Sequence, residues 1–419
     1  MNAVPNTGAR AARRRDRRVY TRSRPLLFAL LAAARRRPVL RLGGTVLVNG
    51  TEPYRHALTR IPLDRAAEGT TGGAARELSG GGSLFDEEGT GHREARRAVA
   101  LDLGAAGVER LRPVWRAVLD RRLAPLACGG SVDLVPLARE LAGATVRALL
   151  DVTADPADLS DAAAEVAAVA VRGHLPGPGR SRAARAAGPA AARLAALLRP
   201  AGHDLDEHVP DGAAGRDGSG GVAGGAGGHV GRGTGGDAER GAGRDAARRA
   251  MLAVAAVNTT VAALPRAAAW CADAGLWEQA ADSRSRAALV DELLRVVAPS
   301  PLLPRVAAAD ADLDGCPVRA GDRLILVARH AVHADDTPPD ARCPVAPAVA
   351  RLVFGAGPHT CPGARLARAQ LADTLAALAP FRPSVVTART DRRAALPGWR
   401  TLTVRATVPA PGPYGGSPC

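Results

Sequence analysis

The chain has 419 residues, enough for a large buried core, and a formal charge of +15 in which every basic side chain is arginine, lysine being absent. Aromatic residues make up 3%, which argues against a nucleic-acid surface of interleaved basic and stacking residues, whereas the positive charge favours acidic partners. The cysteines at 128, 271, 316, 343, 361 and 419 show no CxxC or Cys/His spacing, which excludes a zinc module and offers no disulfide framework.

Residues 1–20 are rich in arginine from Arg10 onward, have few apolar side chains, and read as a disordered basic tail. An arm for nucleic acid or anionic lipid is the rival reading, but no recognition helix accompanies it. Leu26 to Ala34 is apolar behind basic residues, as in a signal peptide. Arg35-Arg36-Arg37 stands where cleavage needs small residues, and the run falls short of the roughly 20 residues a spanning helix requires. A surface helix packed on the core is expected, in a cytoplasmic protein with no membrane partner.

Val39 to Val48 alternates around Gly43-Gly44 and predicts a hairpin. Residues 66–91 are glycine-rich and read as irregular, and helical periodicity then runs from His92 to about Leu198. Residues 212–247 are low in complexity and read as a flexible insert. Helices are expected again over Asp245 to Ala263, ended by Pro265, and over Arg286 to Val297. Short strands are expected within Leu313 to Val327, then near Ser384 to Ala388 and Arg400 to Val408, with 411–419 a second disordered tail. The fold class is mostly α with a small β component, one large domain over 21–410.

The most specific segment runs from Phe354 through Gly355, Gly357, His359 and Cys361 to Gly363. Its glycines let backbone approach a flat ligand closely. From Ala364 to Leu378 the apolar positions Ala364, Ala367, Leu371, Leu375 and Leu378 recur on one helical face, with Arg365, Arg368 and Asp373 away from it. Cys361 thus precedes a helix, where free N–H groups and the dipole favour an anionic sulfur. A metal-ligating thiolate is the reading; an inert buried cysteine is the alternative.

The pattern Phe-x-x-Gly-x-His-x-Cys-x-Gly followed by Leu366-Ala367-Arg368 resembles the haem-binding loop of the cytochrome P450 family of bacterial soluble type. The resemblance implies a haem domain of that fold and haem b with Cys361 as axial ligand. It implies a buried Glu292–Arg295 pair, which in other helical proteins is an ordinary surface contact, with Arg342 the candidate to complete its network. For the two haem propionates it implies His92, Arg96, Arg305 and His359 as donors, with Phe354 and Gly363 lining the cofactor. Arg351, Arg365 and Arg368 lie near the cysteine in sequence and are candidates for a positive docking surface.

In the apolar run Met251 to Leu264, Asn258-Thr259-Thr260 is polar. Hydroxyls bonded back to carbonyls and a glycosylation sequon are two readings. The third is the family's oxygen groove, with Thr259 as its threonine and Asn258 where an acid is usual. An amide cannot shuttle a proton by ionising. The resemblance therefore implies a monooxygenase acting with O2 on a small apolar organic substrate of secondary metabolism, a monomer receiving electrons from an acidic ferredoxin or flavodoxin. An inactive haem-binding auxiliary protein and a peroxide-driven variant remain as alternatives.

Overall fold

The computed structural model describes residues 7–79, 81, 86, 89–174, 180–200 and 234–407. The first part runs α1 (Thr7–Ser23), α2 (Pro25–Ala34), β1 (Val39–Leu42), β2 (Thr45–Val48), α3 (Thr51–Thr59), β3 (Leu63–Asp64), α4 (Thr71–Ser79) and α5 (Gly89–Leu103). The helical body follows as α6 (Ala105–Ala127), β4 (Ser131–Asp133), α7 (Leu134–Leu150), α8 (Pro156–His174), α9 (Arg180–Leu197) and α10 (Thr234–Ala274). Next come α11 (Trp277–Ala281), α12 (Ser283–Val297), β5 (Leu302–Ala307), β6 (Ala311–Leu313), β7 (Cys316–Val318), β8 (Arg323–Val327), α13 (Ala328–Ala331) and α14 (Pro347–Ala350). The chain closes with α15 (Ala364–Leu378), β9 (Ser384–Asp391) and β10 (Gly398–Arg405).

Helices α6, α7, α10 and α15 pack on one another to form the central bundle. Trp115, Leu119, Leu141, Ala267, Leu371 and Leu375 share its apolar cluster. Trp115 is fully buried, and its truncation to Ala would cost about 3–5 kcal/mol. A sheet of order β1-β2-β8-β5-β3 lies to one side, with β2 parallel to β8 and its other pairings antiparallel. The smaller sheet β4-β10-β9 is tied to the bundle by Asp133. Its carboxylate accepts from Val135 N and Leu402 N, both at 3.0 Å, so one side chain caps α7 and anchors β10.

The expected hairpin is β1–β2, turning at Gly43 with φ +61°. Several expectations need correction. Residues 7–20 are not a disordered tail but most of α1, whose Ala12, Asp16, Val19 and Tyr20 are buried at helical spacing and pack against α10. The arginines between them hide that stripe. Within the glycine-rich 66–91, residues 71–79 form α4.

Of the expected insert 212–247, residues 234–247 begin α10 and 212–233 lie outside the described residues, as do 1–6 and 411–419. Helix α10 does not stop at Pro265 but continues to Ala274. Burial of Ala262 to Cys271 on all sides outweighs the one hydrogen bond that proline removes. By length and composition Gly243–Ala274 could cross a membrane, yet half of its apolar window is buried inside the protein, as a core helix requires.

Strand β5 was not anticipated, because Pro301 and Pro304 bracket its start. The proline at 304 is tolerated because β3 pairs only with Val306 and Ala307, leaving an open edge beside it. Asp373 does not lie on the outer face of α15. It is buried and accepts from Arg112 Nη2 and Nε at 2.8 Å and from Trp115 Nε1 at 2.9 Å. Burial opposes its charge, but the bonds from Arg112, Arg116 and Trp115 outweigh it and hold the carboxyl below the usual range.

Candidate functional site

Two left-handed glycines shape the cysteine loop, Gly355 at φ +80° and Gly357 at φ +71°. A Cβ on Gly357 would stand 3.2 Å from the carbonyl oxygen of Leu58, so α3 closes on the loop at that point. Cys361 N donates to Phe354 O at 2.8 Å, and Thr360 N donates to Gly357 O at 3.1 Å, drawing the loop into a narrow turn. Gly363 caps α15, with space for its absent Cβ 3.8 Å from Cys361 Sγ. Phe354 is partly buried against the central apolar cluster.

The Cys361 thiol is ringed by protein yet open to space on one side. Burial pushes its titration up, while the Gly363 amide and the Arg96 guanidinium oppose that shift. A metal cation would complete what they begin, since a coordinated thiol is deprotonated outright.

Around the loop the structure gathers cations. His92 lies buried on α5 with its ring 4.0 Å, centroid to centroid, from that of His359. Arg96, one helical turn on, donates from Nη1 to Thr360 O at 2.7 Å. Arg305 enters from β5; its Nη1 donates to Pro304 O at 2.8 Å, and its Nε is buried without a hydrogen-bond partner. Arg65, which the sequence reading missed because it lies at the edge of a glycine-rich stretch with no helical or strand signal, joins them.

Burial and then Arg65, His92, Arg305 and Arg96 push His359 down to about 3. Burial, with Arg65, pushes Arg305 down to about 10. Arg305, desolvated with its Nε unpartnered, is unfavourable as a buried cation and would be relieved by an anion. A flat, dianionic macrocycle with a metal at its centre meets both demands: carboxylates for the cations and a Lewis acid for the thiol. The residues present fit haem.

Glu292 and Arg295 are buried as an ion pair, Nε to Oε1 at 3.0 Å and Nη2 to Oε2 at 2.6 Å. Arg342 does not complete the network; its side chain is exposed. Main chain does so instead. Arg295 donates to the carbonyls of His333 at 2.9 Å and Thr337 at 3.2 Å, and Val345 N donates to Glu292 Oε1 at 3.0 Å. The pair thus pins the irregular segment leading to the cysteine loop.

Asn258 and Thr259 lie on α10. Thr259 Oγ1 donates to Ala255 O at 2.7 Å, the back-bonded arrangement. Asn258 Nδ2 donates to Val254 O at 2.8 Å and Ala163 O at 3.3 Å, turning the amide toward α8. A half-open cavity of about 450 Å³ lies there, with Val257, Val261, Ala262 and Leu396 on its apolar side and Asp161, Glu165, Arg172, Arg193, Asp391 and Arg393 among its charged lining. Of the three basic residues proposed near the cysteine, Arg351 and Arg368 both pair with Asp291, at 3.2 and 2.5 Å, while Arg365 is exposed.

A thiol at a helix start, basic side chains gathered around its loop and a long core helix are the parts that a haem-thiolate class of site requires. No family model matches the chain. Over 98 residues it is 39% identical to the 20-oxo-5-O-mycaminosyltylactone 23-monooxygenase of Streptomyces fradiae, 23% of each chain. Over 107 residues it is 39% identical to the mycinamicin VIII C21 methyl hydroxylase of Micromonospora griseorubida, 24% of this chain and 28% of that one. The matched stretch thus spans about a quarter of these curated relatives. In three dimensions it superposes on a mutant of P450 EryK in complex with erythromycin B with a TM-score of 0.68 at 22% identity, covering 94% of this chain and 98% of the other. The fold is that of the cytochromes P450, and the likeness to bacterial members of that family holds in both structure and sequence.

Proposed function

We propose that the chain is a haem-thiolate monooxygenase that inserts one oxygen atom from O2 into a small apolar secondary metabolite, working as a cytoplasmic monomer. The observation that carries this reading is the convergence of His92, Arg96, Arg305 and His359 on the Cys361 loop, with the Nε of Arg305 buried without a hydrogen-bond partner. When bound, haem supplies the activation of dioxygen, which the protein's own side chains cannot perform.

Cys361 would hold the haem iron through its thiolate, and His92, Arg96, Arg305 and His359 would bind the propionates. Arg65 adds charge to the same side. Thr259 must release Ala255 O before its hydroxyl can donate a proton, which makes that back-bond a point of control. Asn258 keeps Oδ1 as an acceptor for water while its amide hydrogens are engaged, so it can order a solvent chain without ionising. The cavity at Asn258 is within the 300–1,000 Å³ range of small-molecule sites.

Electrons are assigned to an acidic ferredoxin or flavodoxin, for which Arg365 offers an exposed cation. Because Arg351 and Arg368 share the single carboxylate of Asp291, the three together offer one net positive charge, and that docking surface is weaker than the arginine count suggests. Full-length protein reconstituted with haem is expected to give the red-shifted Soret band of the reduced carbon monoxide complex, and Cys361→Ser to abolish it. A mutant that keeps the band would overturn the ligand assignment. Asn258 in place of an acid favours one second reading, a peroxide-driven enzyme. Product formed with hydrogen peroxide and no redox partner would select it.

A further inference from the structure

Helix α1 carries a buried polar cluster that the site description does not use. Asp16 is 3% exposed and lies between two guanidiniums. It accepts from Arg266 Nε at 2.7 Å and Nη2 at 3.0 Å, and from Arg329 Nη1 at 3.5 Å. The Tyr20 ring sits between the same two arginines, 4.6 Å from Arg266 and 4.3 Å from Arg329. The hydroxyl of Tyr20 accepts from Arg266 Nη2 at 2.5 Å and donates to Val297 O at 2.6 Å.

Arg329 Nε and Nη2 also bond the Asp335 carboxylate, at 3.1 and 2.8 Å, and the cluster's bonds to main chain fall at two turns. Arg329 Nη1 donates to Val296 O at 3.0 Å, and Arg266 Nη1 donates to Pro397 O at 3.3 Å. The first turn contains Ala298 in left-handed backbone, φ +37°, which a residue with a Cβ avoids unless its surroundings impose it. It leads directly into β5 and Arg305. The second turn is flanked by Leu396 and Gly398, both of which line the cavity beside Asn258. Gly398 packs close to α10, where a Cβ would lie 3.8 Å from the Cα of Ala262.

We propose that α1 is a positioning element for the ligand cavity: Asp16 and Tyr20, acting through Arg266 and Arg329, hold the turns at 296–298 and 396–398 against α10. Asp16 and Tyr20 are positioning residues and touch no ligand themselves. For its spectral readout the proposal rests on the haem reading; its readout by amide exchange does not.

The test uses full-length protein with Tyr20→Phe, Asp16→Asn and, as control, Arg15→Gln, which breaks a pair between α1 and Asp273 at the rim of the same interface. Tyr20→Phe keeps the ring between the arginines and removes only the hydroxyl. Hydrogen exchange of amides in 296–300 and 394–399 is followed by mass spectrometry, and phenylimidazole is titrated against the Soret band. Tyr20→Phe, which loses both buried hydrogen bonds of the hydroxyl, is expected to speed exchange in both turns and weaken phenylimidazole about three- to tenfold, with the reduced carbon monoxide spectrum intact. Arg15→Gln is expected to do neither. Unchanged exchange and affinity in Tyr20→Phe, with a fall in melting temperature alone, would make the cluster mere glue and overturn the proposal. Should Asp16→Asn not fold, Tyr20→Phe decides. Should wild-type protein take up no haem, the haem reading fails separately and the exchange data still decide.

Discussion

Two buried clusters of charge in this molecule are built on opposite plans. Around Tyr20 the account closes: Arg266 and Arg329 face Asp16 and Asp335, and the leftover donors reach carbonyls. Around Cys361 it stays open at Arg305, whose Nε is buried without a hydrogen-bond partner, and the groups acting on His359, led by Arg65, are all basic. A closed cluster needs nothing further and fixes geometry. An open one is poised to take in an anion, and its stability is given up to binding. The contrast separates scaffold from site without reference to any ligand.

The largest effect expected from breaking it is in the closed cluster. Asp16→Ala leaves Arg266 buried without its carboxylate and should cost about 3–5 kcal/mol, read as a lower midpoint in urea unfolding. In the open cluster the sign reverses. Arg305→Gln removes a desolvated cation whose Nε already lacks a partner, so the haem-free protein should gain about 1–3 kcal/mol. Haem affinity should fall about tenfold or more from loss of a charge-assisted bond. A haem-free protein destabilised by Arg305→Gln would show that the cluster is already neutralised and would dissolve the contrast.

His330 sharpens the comparison because it adjoins the closed cluster. Its Nδ1 lies 2.8 Å from Asn49 Oδ1, and it is flanked by Arg329, Asp335, Arg35 and Asp336. Burial first, with Arg329 and Arg35 adding and the two aspartates opposing, pushes it from 6.5 down to about 4. The folded state therefore keeps the ring neutral where the unfolded chain protonates it. The stability this contributes is full above about pH 6.5, falls as pH drops below it, and levels off beneath about pH 4. At about pH 5 the loss is about 2 kcal/mol. Unfolding curves for wild type and His330→Gln should converge by that amount between about pH 7 and pH 5; parallel curves would place the pH dependence elsewhere.

The two clusters were not equally legible. Cys361, His359 and Gly363 lie within one short segment whose local chemistry announces a ligand, and Glu292 with Arg295 form a helical pair. Asp16 and Arg266 stand 250 residues apart, and their meeting is a property of packing alone. The arginine-rich composition actively misled there: a stripe of Ala12, Asp16, Val19 and Tyr20 is invisible when an acid occupies one of its positions. The same blindness hid Asp373, whose partners Arg112 and Trp115 lie on another helix. Pro265 misled by a local rule that burial overrode. Arg65 had no signal at all, since a lone arginine beside glycine is ordinary surface until the fold brings it to His359.

A smaller effect tests whether the open cluster depends on backbone as well as charge. Gly357 adopts φ +71°, and a Cβ there would stand a tight 3.2 Å from Leu58 O. Gly357→Ala pays the left-handed penalty of about 1–2 kcal/mol and must also push α3 aside by a few tenths of an ångström. Both strains fall on the turn that carries His359 toward His92, so they should register as faster haem loss to apomyoglobin while the unfolding midpoint moves little. Gly355→Ala is the comparison: its φ of +80° with ψ −168° exacts a larger backbone penalty, but its Cβ would meet nothing nearer than 3.8 Å. If Gly355→Ala loses haem faster, backbone strain governs retention. If Gly357→Ala is faster, close approach of α3 is what positions the His359 ring beside His92 for haem retention.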